Sequence, residues 1–141
     1  MITDVLSPRE EEFVRAQRVA RMATADAHGR PFAVPVCFVY LNGRLYTPVD
    51  EKPKSGRRLR RLRNIEANPE VAIVFDRYED DWERLAWVLI RGRASLVTDG
   101  GEKAEAAVAL RSKYEQYDSM ALQQLPLIRV NPEHAANWGA V

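Results

Sequence analysis

Apolar and polar positions alternate with a period of two over much of this chain, in short runs bounded by turn residues. Residues 18–25 form one such run, closed by the turn chemistry of Asp26-Ala27-His28-Gly29. In the next, Phe32, Val34, Val36, Phe38 and Tyr40 fall on one face and Ala33, Pro35, Cys37 and Val39 on the other. Both faces are largely apolar, which predicts one strand at the centre of a closed or doubly covered sheet. Pro35 cannot donate to a ladder, so a bulge or a locally unpaired edge is expected there, freeing backbone groups for a ligand. Asn42-Gly43 is the strongest hairpin signal and joins this strand to residues 44–49, completing a three-stranded meander. Residues 71–76 read as a buried strand and residues 85–98 as a long one bent at Gly92. A last strand covers residues 127–130, after which Asn131-Pro132-Glu133 is expected to turn the chain toward Trp138.

Three segments switch to helical spacing. Ser7-Pro8-Arg9-Glu10 has the form of a capping box with proline at the first helical position, opening a lid or brace that turns Phe13 and Val14 inward. Leu59, Leu62 and Ile65 then recur at helical spacing, with Arg57, Arg60, Arg61 and Asn64 on a separate stripe, so one face is expected to pack and the other to carry charge. That helix stops at Asn68-Pro69. Asp99-Gly100-Gly101 precedes a third helix of about 15 residues, with Ala107, Val108, Leu110, Arg111 and Tyr114 at amphipathic spacing. The pattern predicts six to seven mostly antiparallel strands with helices at the N-terminus, after the third strand and before the last, an α+β chain dominated by β and closer to a small Greek-key barrel than to a sandwich.

A length of 141 residues fits a single domain spanning 1–141. Nothing reads as a signal peptide or a membrane span, so a cytoplasmic protein with no membrane contact is expected. One cysteine, Cys37, leaves no internal disulfide and no cysteine-based zinc site, and the two histidines, His28 and His134, make no metal constellation. No nucleophile and base pair stands out, so no catalytic residue is assigned.

Charge adds the most informative feature. Seven of the 21 Lys and Arg residues lie between Lys52 and Arg63, directly after Leu45-Tyr46-Thr47 and before Asn68-Pro69. A strand edge and a helix N-terminus both leave backbone N–H groups free, and the helix end carries partial positive charge, so the junction suits a phosphate. Two or three charge-assisted hydrogen bonds at roughly 1.5–3 kcal/mol each are enough for micromolar affinity. A solvated basic helix face is the alternative. Net charge is only +1, balanced by Asp76, Glu79, Asp80, Asp81 and Glu83, which argues against a nucleic-acid partner.

Gly29-Arg30-Pro31, Pro35-Val36-Cys37-Phe38, Leu45-Tyr46-Thr47 and the basic segment closing on Asn64-Ile65-Glu66-Ala67-Asn68-Pro69-Glu70-Val71 resemble, in that order, the pyridoxamine 5′-phosphate oxidase-like split β-barrel flavoproteins. Asp50-Glu51-Lys52-Pro53-Lys54, with Trp82 and Trp138, is similar to the actinobacterial branch of deazaflavin-dependent oxidoreductases. The resemblance covers nearly the whole chain. It implies a homodimer with two cofactor sites at the interface, Arg61 with Arg60 on the cofactor phosphate, and Lys54 and Arg58 as companions. It places Tyr46 and Thr47 along the flavin site and the backbone of Val36 and Cys37 against the ring, with Trp138 a candidate to cover the cofactor or substrate face. The C-terminal extension that carries the substrate arginine of true pyridoxamine phosphate oxidases is missing, so vitamin B6 oxidation is not expected. The surplus charge of Lys52, Lys54 and Arg57 suits the poly-glutamate tail of coenzyme F420 better than the single phosphate of FMN. Hydride transfer from a deazaflavin to a small molecule is therefore the expected activity. The alternatives are an FMN-dependent oxidoreductase and a non-catalytic flavin or deazaflavin carrier.

Overall fold

A computed structural model describes residues 5–49 and 59–141. Helix α1 (Pro8–Ala16) opens on the full capping box: Ser7 accepts from the Glu10 N–H, and the Glu10 carboxylate accepts from the Ser7 N–H at 2.8 Å. Strands β1 (Ala20–Ala25), β2 (Pro31–Val36), β3 (Val39–Leu41) and β4 (Arg44–Pro48) follow. After α2 (Arg60–Ala67) come β5 (Glu70–Arg77), β6 (Ala86–Leu96), α3 (Gly101–Lys113) and β7 (Leu127–Gly139). All seven strands join one antiparallel sheet in the order β2-β1-β5-β6-β7-β4-β3.

That order corrects the meander. The run from Phe32 to Tyr40 is not one central strand; it is two, β2 and β3, at opposite edges of the sheet, with Cys37 and Phe38 between them. Two residues therefore bridge the edges, which curls the sheet into a split barrel. The apolar faces of this run belong to the seam. Pro35 pairs with Arg21 in an unbroken β1–β2 register on an edge strand, so no bulge forms there.

The bulge lies across the barrel instead. Arg91 pairs with His134 and Gly92 with Pro132, leaving Glu133 as the extra residue on β7. Asn131-Pro132-Glu133 is thus an irregularity within a strand of 13 residues that runs on past Trp138, and not a turn. Proline is tolerated there because β4 pairs β7 only as far as Val130, which leaves one side of β7 unpaired at Pro132.

Inside the curl, Met22, Leu45, Phe75, Ile90, Ile128 and Val130 are among the fully buried side chains, and Phe38 meets Phe75 edge to face at 4.9 Å. Phe13 and Val14 of α1 close one end of this core, where Glu10 accepts from Asn137 Nδ2 at 2.8 Å. A second cluster packs Ala106, Ala107, Leu110 and Tyr114 of α3 against Tyr46 and Leu127. Val108, expected inward, is 67 % exposed, because the inward stripe runs through Lys103, Ala106, Ala107 and Leu110. No helix among the described residues is long and apolar enough to cross a membrane.

A Cβ at Gly92 would run into the Asn131 carbonyl, where backbone has no flexible end to move aside. Gly92→Ala should therefore cost about 1–3 kcal/mol in urea unfolding, with the midpoint lowered and the slope unchanged.

Candidate functional site

The seam between the two sheet edges is where the candidate site forms. Val36 ends β2, Cys37 sits in the break, Pro48 ends β4, and Arg61 rises from the first turn of α2. Together with Val19, Pro35 and Tyr117 they line a cavity of about 250 Å³. Phe38 fixes this geometry. Its N–H donates to the Tyr114 hydroxyl at 3.1 Å, and that hydroxyl donates to the Arg18 carbonyl at 2.8 Å. The end of α3 thereby holds the break open at a defined width, and burial pushes the Tyr114 hydroxyl above its usual pKa.

Two further cavities neighbour it. Arg61 also lines a second cavity of about 160 Å³ with Phe32, Val34, Leu59 and Arg60. Arg60 in turn lines a third, of about 310 Å³, with Asp26, His28, Arg30, Arg63 and Asn64. The three succeed one another along β2 and α2, from the apolar seam to the β1–β2 turn. At that far end Asp26 accepts from the backbone N–H groups of Arg30 and His28 and from Arg30 Nε, which holds its carboxyl down to about 2.

Helix α2 differs from its expected division into packed and charged faces. Arg61 and Asn64 are buried with Leu62 and Ile65, while Arg60 and Arg63 are exposed. Asn64 Nδ2 donates to Thr24 Oγ1 at 3.0 Å, so the stripe read as charged is partly structural.

The structure gathers Val36, Cys37 and Arg61 around one cavity and puts Arg60 at the next. Tyr46 goes elsewhere. Its hydroxyl donates to Glu102 Oε2 at 2.7 Å beneath α3, in a cluster where Arg129 and Arg44 also grip that carboxylate. The hydrogen bond from Tyr46, then those from Arg129, keep Glu102 below the usual carboxylate range, whereas burial first and Glu102 second push Tyr46 up. Thr47 is buried, and its Oγ1 has no hydrogen-bond partner among the described residues. Trp138 lies on the outer face of the sheet, paired with Trp87 and half exposed, and lines no cavity with Cys37 or Arg61. Lys52, Lys54 and Arg58 fall outside the described residues. Val19, Pro48 and Tyr117 carry no signal in sequence, since each reaches the cavity from an irregular segment or a strand end.

Residues 6–139 match the family model described as pyridoxamine 5′-phosphate oxidase. The chain belongs to the pyridoxamine 5′-phosphate oxidase family. A curated relative, the 5a,11a-dehydrotetracycline/5a,11a-dehydrooxytetracycline reductase of Streptomyces rimosus, is 31 % identical over 93 % of this chain and 81 % of its own length. Among solved structures, the heme storage protein HutZ of Vibrio cholerae superposes with a TM-score of 0.73 at 24 % identity, covering 95 % of this chain and 94 % of that one. A FAD-binding protein of Mesorhizobium loti gives 0.69 at 24 %, covering 94 % of each chain. These two likenesses establish the shared split-barrel fold. Within the pyridoxamine 5′-phosphate oxidase family, the reductase relative supports an oxidoreductase that uses a flavin-type cofactor.

Tyr114→Phe removes the group that satisfies the Phe38 N–H and the Arg18 carbonyl while keeping the ring. It should destabilise the fold by about 1–3 kcal/mol in thermal unfolding, with hydrogen exchange at the Phe38 amide rising most steeply.

Proposed function

We propose that this chain is a deazaflavin-dependent reductase that takes coenzyme F420 along the β2–α2 groove and passes its hydride to a small unsaturated or oxidised molecule. One observation carries the reading: three neighbouring cavities share first Arg61 and then Arg60, and the last is lined by Arg63 and by Arg30, which Asp26 pairs. A flavin mononucleotide would use the first two cavities only, whereas a ligand with a carboxylate-rich tail fills all three. The donor set fits such a ligand. Arg61 and Arg60 suit a phosphate, the buried Thr47 hydroxyl offers a polar contact beside Pro48, and Val36 with Cys37 makes an apolar wall for a ring. When bound, the deazaflavin supplies the hydride. The chain positions the ring at the seam, neutralises its phosphate and excludes water. The reductase chemistry of the Streptomyces relative is what carries over, without its substrate.

The reading includes a homodimer. On the outer face of the sheet, cross-strand rows run Ala23-Ala72-Arg91-His134, Arg21-Val74-Leu89-Ala136 and Asp76-Trp87-Trp138. Their centre is apolar, and the Arg21–Asp76 ion pair at 2.6 Å sits toward one edge, the anatomy of an interface with an apolar core and a polar rim. A second copy on this face would bring its own Trp138 near a neighbouring site, a role that residue does not fill within one chain. Leu89→Arg should convert dimers to monomers in sedimentation velocity and weaken cofactor binding with them.

Fluorescence titration tests the cofactor. Tailed coenzyme F420 should bind more tightly than its tail-less form, and Arg30→Gln with Arg63→Gln should remove that advantage. Arg61→Met, which keeps the buried volume, should weaken both by about 1.5–3 kcal/mol. Stronger binding of FMN than of either deazaflavin would move the assignment to the flavin, and saturable binding without turnover would leave a carrier. Absence of binding by all three would overturn the proposal.

A further inference from the structure

One residue on the wall of the seam cavity has no part in the cofactor reading. Most of that wall is valine and proline, so among the described residues only Arg61, Cys37 and Tyr117 bring a side chain able to donate a hydrogen bond. Arg61 serves the phosphate in the reading above, and a thiol is a weak donor. The Tyr117 phenol is therefore the strong uncharged donor of the cavity. It belongs to a short helical turn (Glu115–Ser119) just after α3 and is 5 % exposed.

The turn that carries Tyr117 is anchored to the break in the sheet. The Tyr117 N–H donates to the Tyr114 carbonyl at 3.0 Å, and the two rings meet edge to face at 5.6 Å. Tyr114 is in turn tied through its hydroxyl to Phe38 and Arg18, beside Cys37 and Val19 of the same cavity. Packing in the second cluster, with Leu110 and Leu122, calls for a ring at this position. The place on the cavity wall gives the phenol a second use. A donor held in position beforehand stabilises charge that develops on a bound oxygen without reorganising to do so. Among the described residues no carboxylate lines the cavity, so nothing there favours a cationic occupant. With Arg61 engaged, valine and proline offer an anionic one no counter-charge.

We propose that the Tyr117 hydroxyl binds the carbonyl oxygen of the hydride acceptor, and that this acceptor is an uncharged molecule with a C=C bond conjugated to that carbonyl. The hydride step rests on the reductase reading above; the carbonyl site does not. As a C–H bond forms at the far carbon of the C=C, its π pair moves into the bond toward the carbonyl carbon and the C=O π pair moves onto oxygen. The Tyr117 O–H then breaks, its proton passes to that oxygen, and the phenolate regains a proton from water. The enol so formed becomes the saturated ketone in solvent. The acceptor gains two electrons, and the reduced cofactor loses two. Tyr117 is thus a catalytic residue, and Arg61 stays with the cofactor.

Two probes of one shape, followed by fluorine NMR on the full chain, test the site: 4-(4-fluorophenyl)but-3-en-2-one and 1-(but-1-enyl)-4-fluorobenzene, which has a methylene in place of the carbonyl. Tyr117→Phe should weaken the ketone roughly threefold to tenfold and leave the hydrocarbon unchanged. In the infrared, the C=O stretch of the bound ketone should rise in that variant. Replacing Tyr117 by 3-fluorotyrosine, a stronger acid of nearly the same size, should lower the stretch instead, which keeps the test open where the phenylalanine variant does not fold. Equal losses for the two probes, or a stretch that neither variant moves, overturns the proposal. On the cofactor-loaded chain, 4-fluorocinnamate should bind more weakly than the ketone, and the reverse order overturns the uncharged class. With reduced coenzyme F420, Tyr117→Phe should slow ketone reduction roughly a hundredfold at saturation, and an undiminished rate overturns the proton transfer. A chain that binds no cofactor yet shows the carbonyl effects supports the Tyr117 site and removes the reductase reading.

Discussion

Everything functional in this chain depends on how the sheet fails to close. β2 and β3 are consecutive in sequence yet occupy opposite edges, so Cys37 and Phe38 must span a gap with backbone groups that no ladder satisfies. An unpaired buried N–H costs about 1–3 kcal/mol, comparable to a sizeable fraction of a small domain's stability. The Tyr114 hydroxyl meets that requirement from α3, and Phe38 locks the same point into the core against Phe75. The two anchors act on one residue from opposite sides. The seam is consequently a fixed opening, and the cavity beside it inherits that definition.

This constraint also explains which parts of the fold were legible. Alternation located the strands and the Asn42-Gly43 turn, because period two and left-handed backbone are local properties; Asn42 and Gly43 both have positive φ. Partners were not local. An apolar run on both faces signals burial on both faces, and β2–Cys37–Phe38–β3 achieves that by bending across the seam as well as a central strand would. Asn131-Pro132-Glu133 failed for a related reason, since proline reads as a turn unless a glycine such as Gly92 on the neighbouring strand makes room for a bulge.

The site was legible in chemistry more than in place. The resemblance points to Arg61 as a phosphate ligand, and the structure places its side chain on the seam cavity with Val36 and Cys37. Its burial was invisible, because Arg61 and Asn64 share a stripe with Arg60 and look solvated by composition alone. Tyr46 could not be told from a ligand-facing residue until Glu102, 56 residues away in sequence, supplied its partner. Thr47, its neighbour, alternates to the opposite face of β4, where its buried hydroxyl has no hydrogen-bond partner among the described residues.

The same geometry argues that charge was distributed by position along the seam. Cations at Arg60, Arg61 and Arg63 follow α2 and lead away from the break, where an elongated anion can lie against β2. Arg18 and Lys113 instead rest on Tyr114 and Phe38 at the C-terminal end of α3, where Arg18 donates to the Lys113 carbonyl and both charges complement the helix dipole.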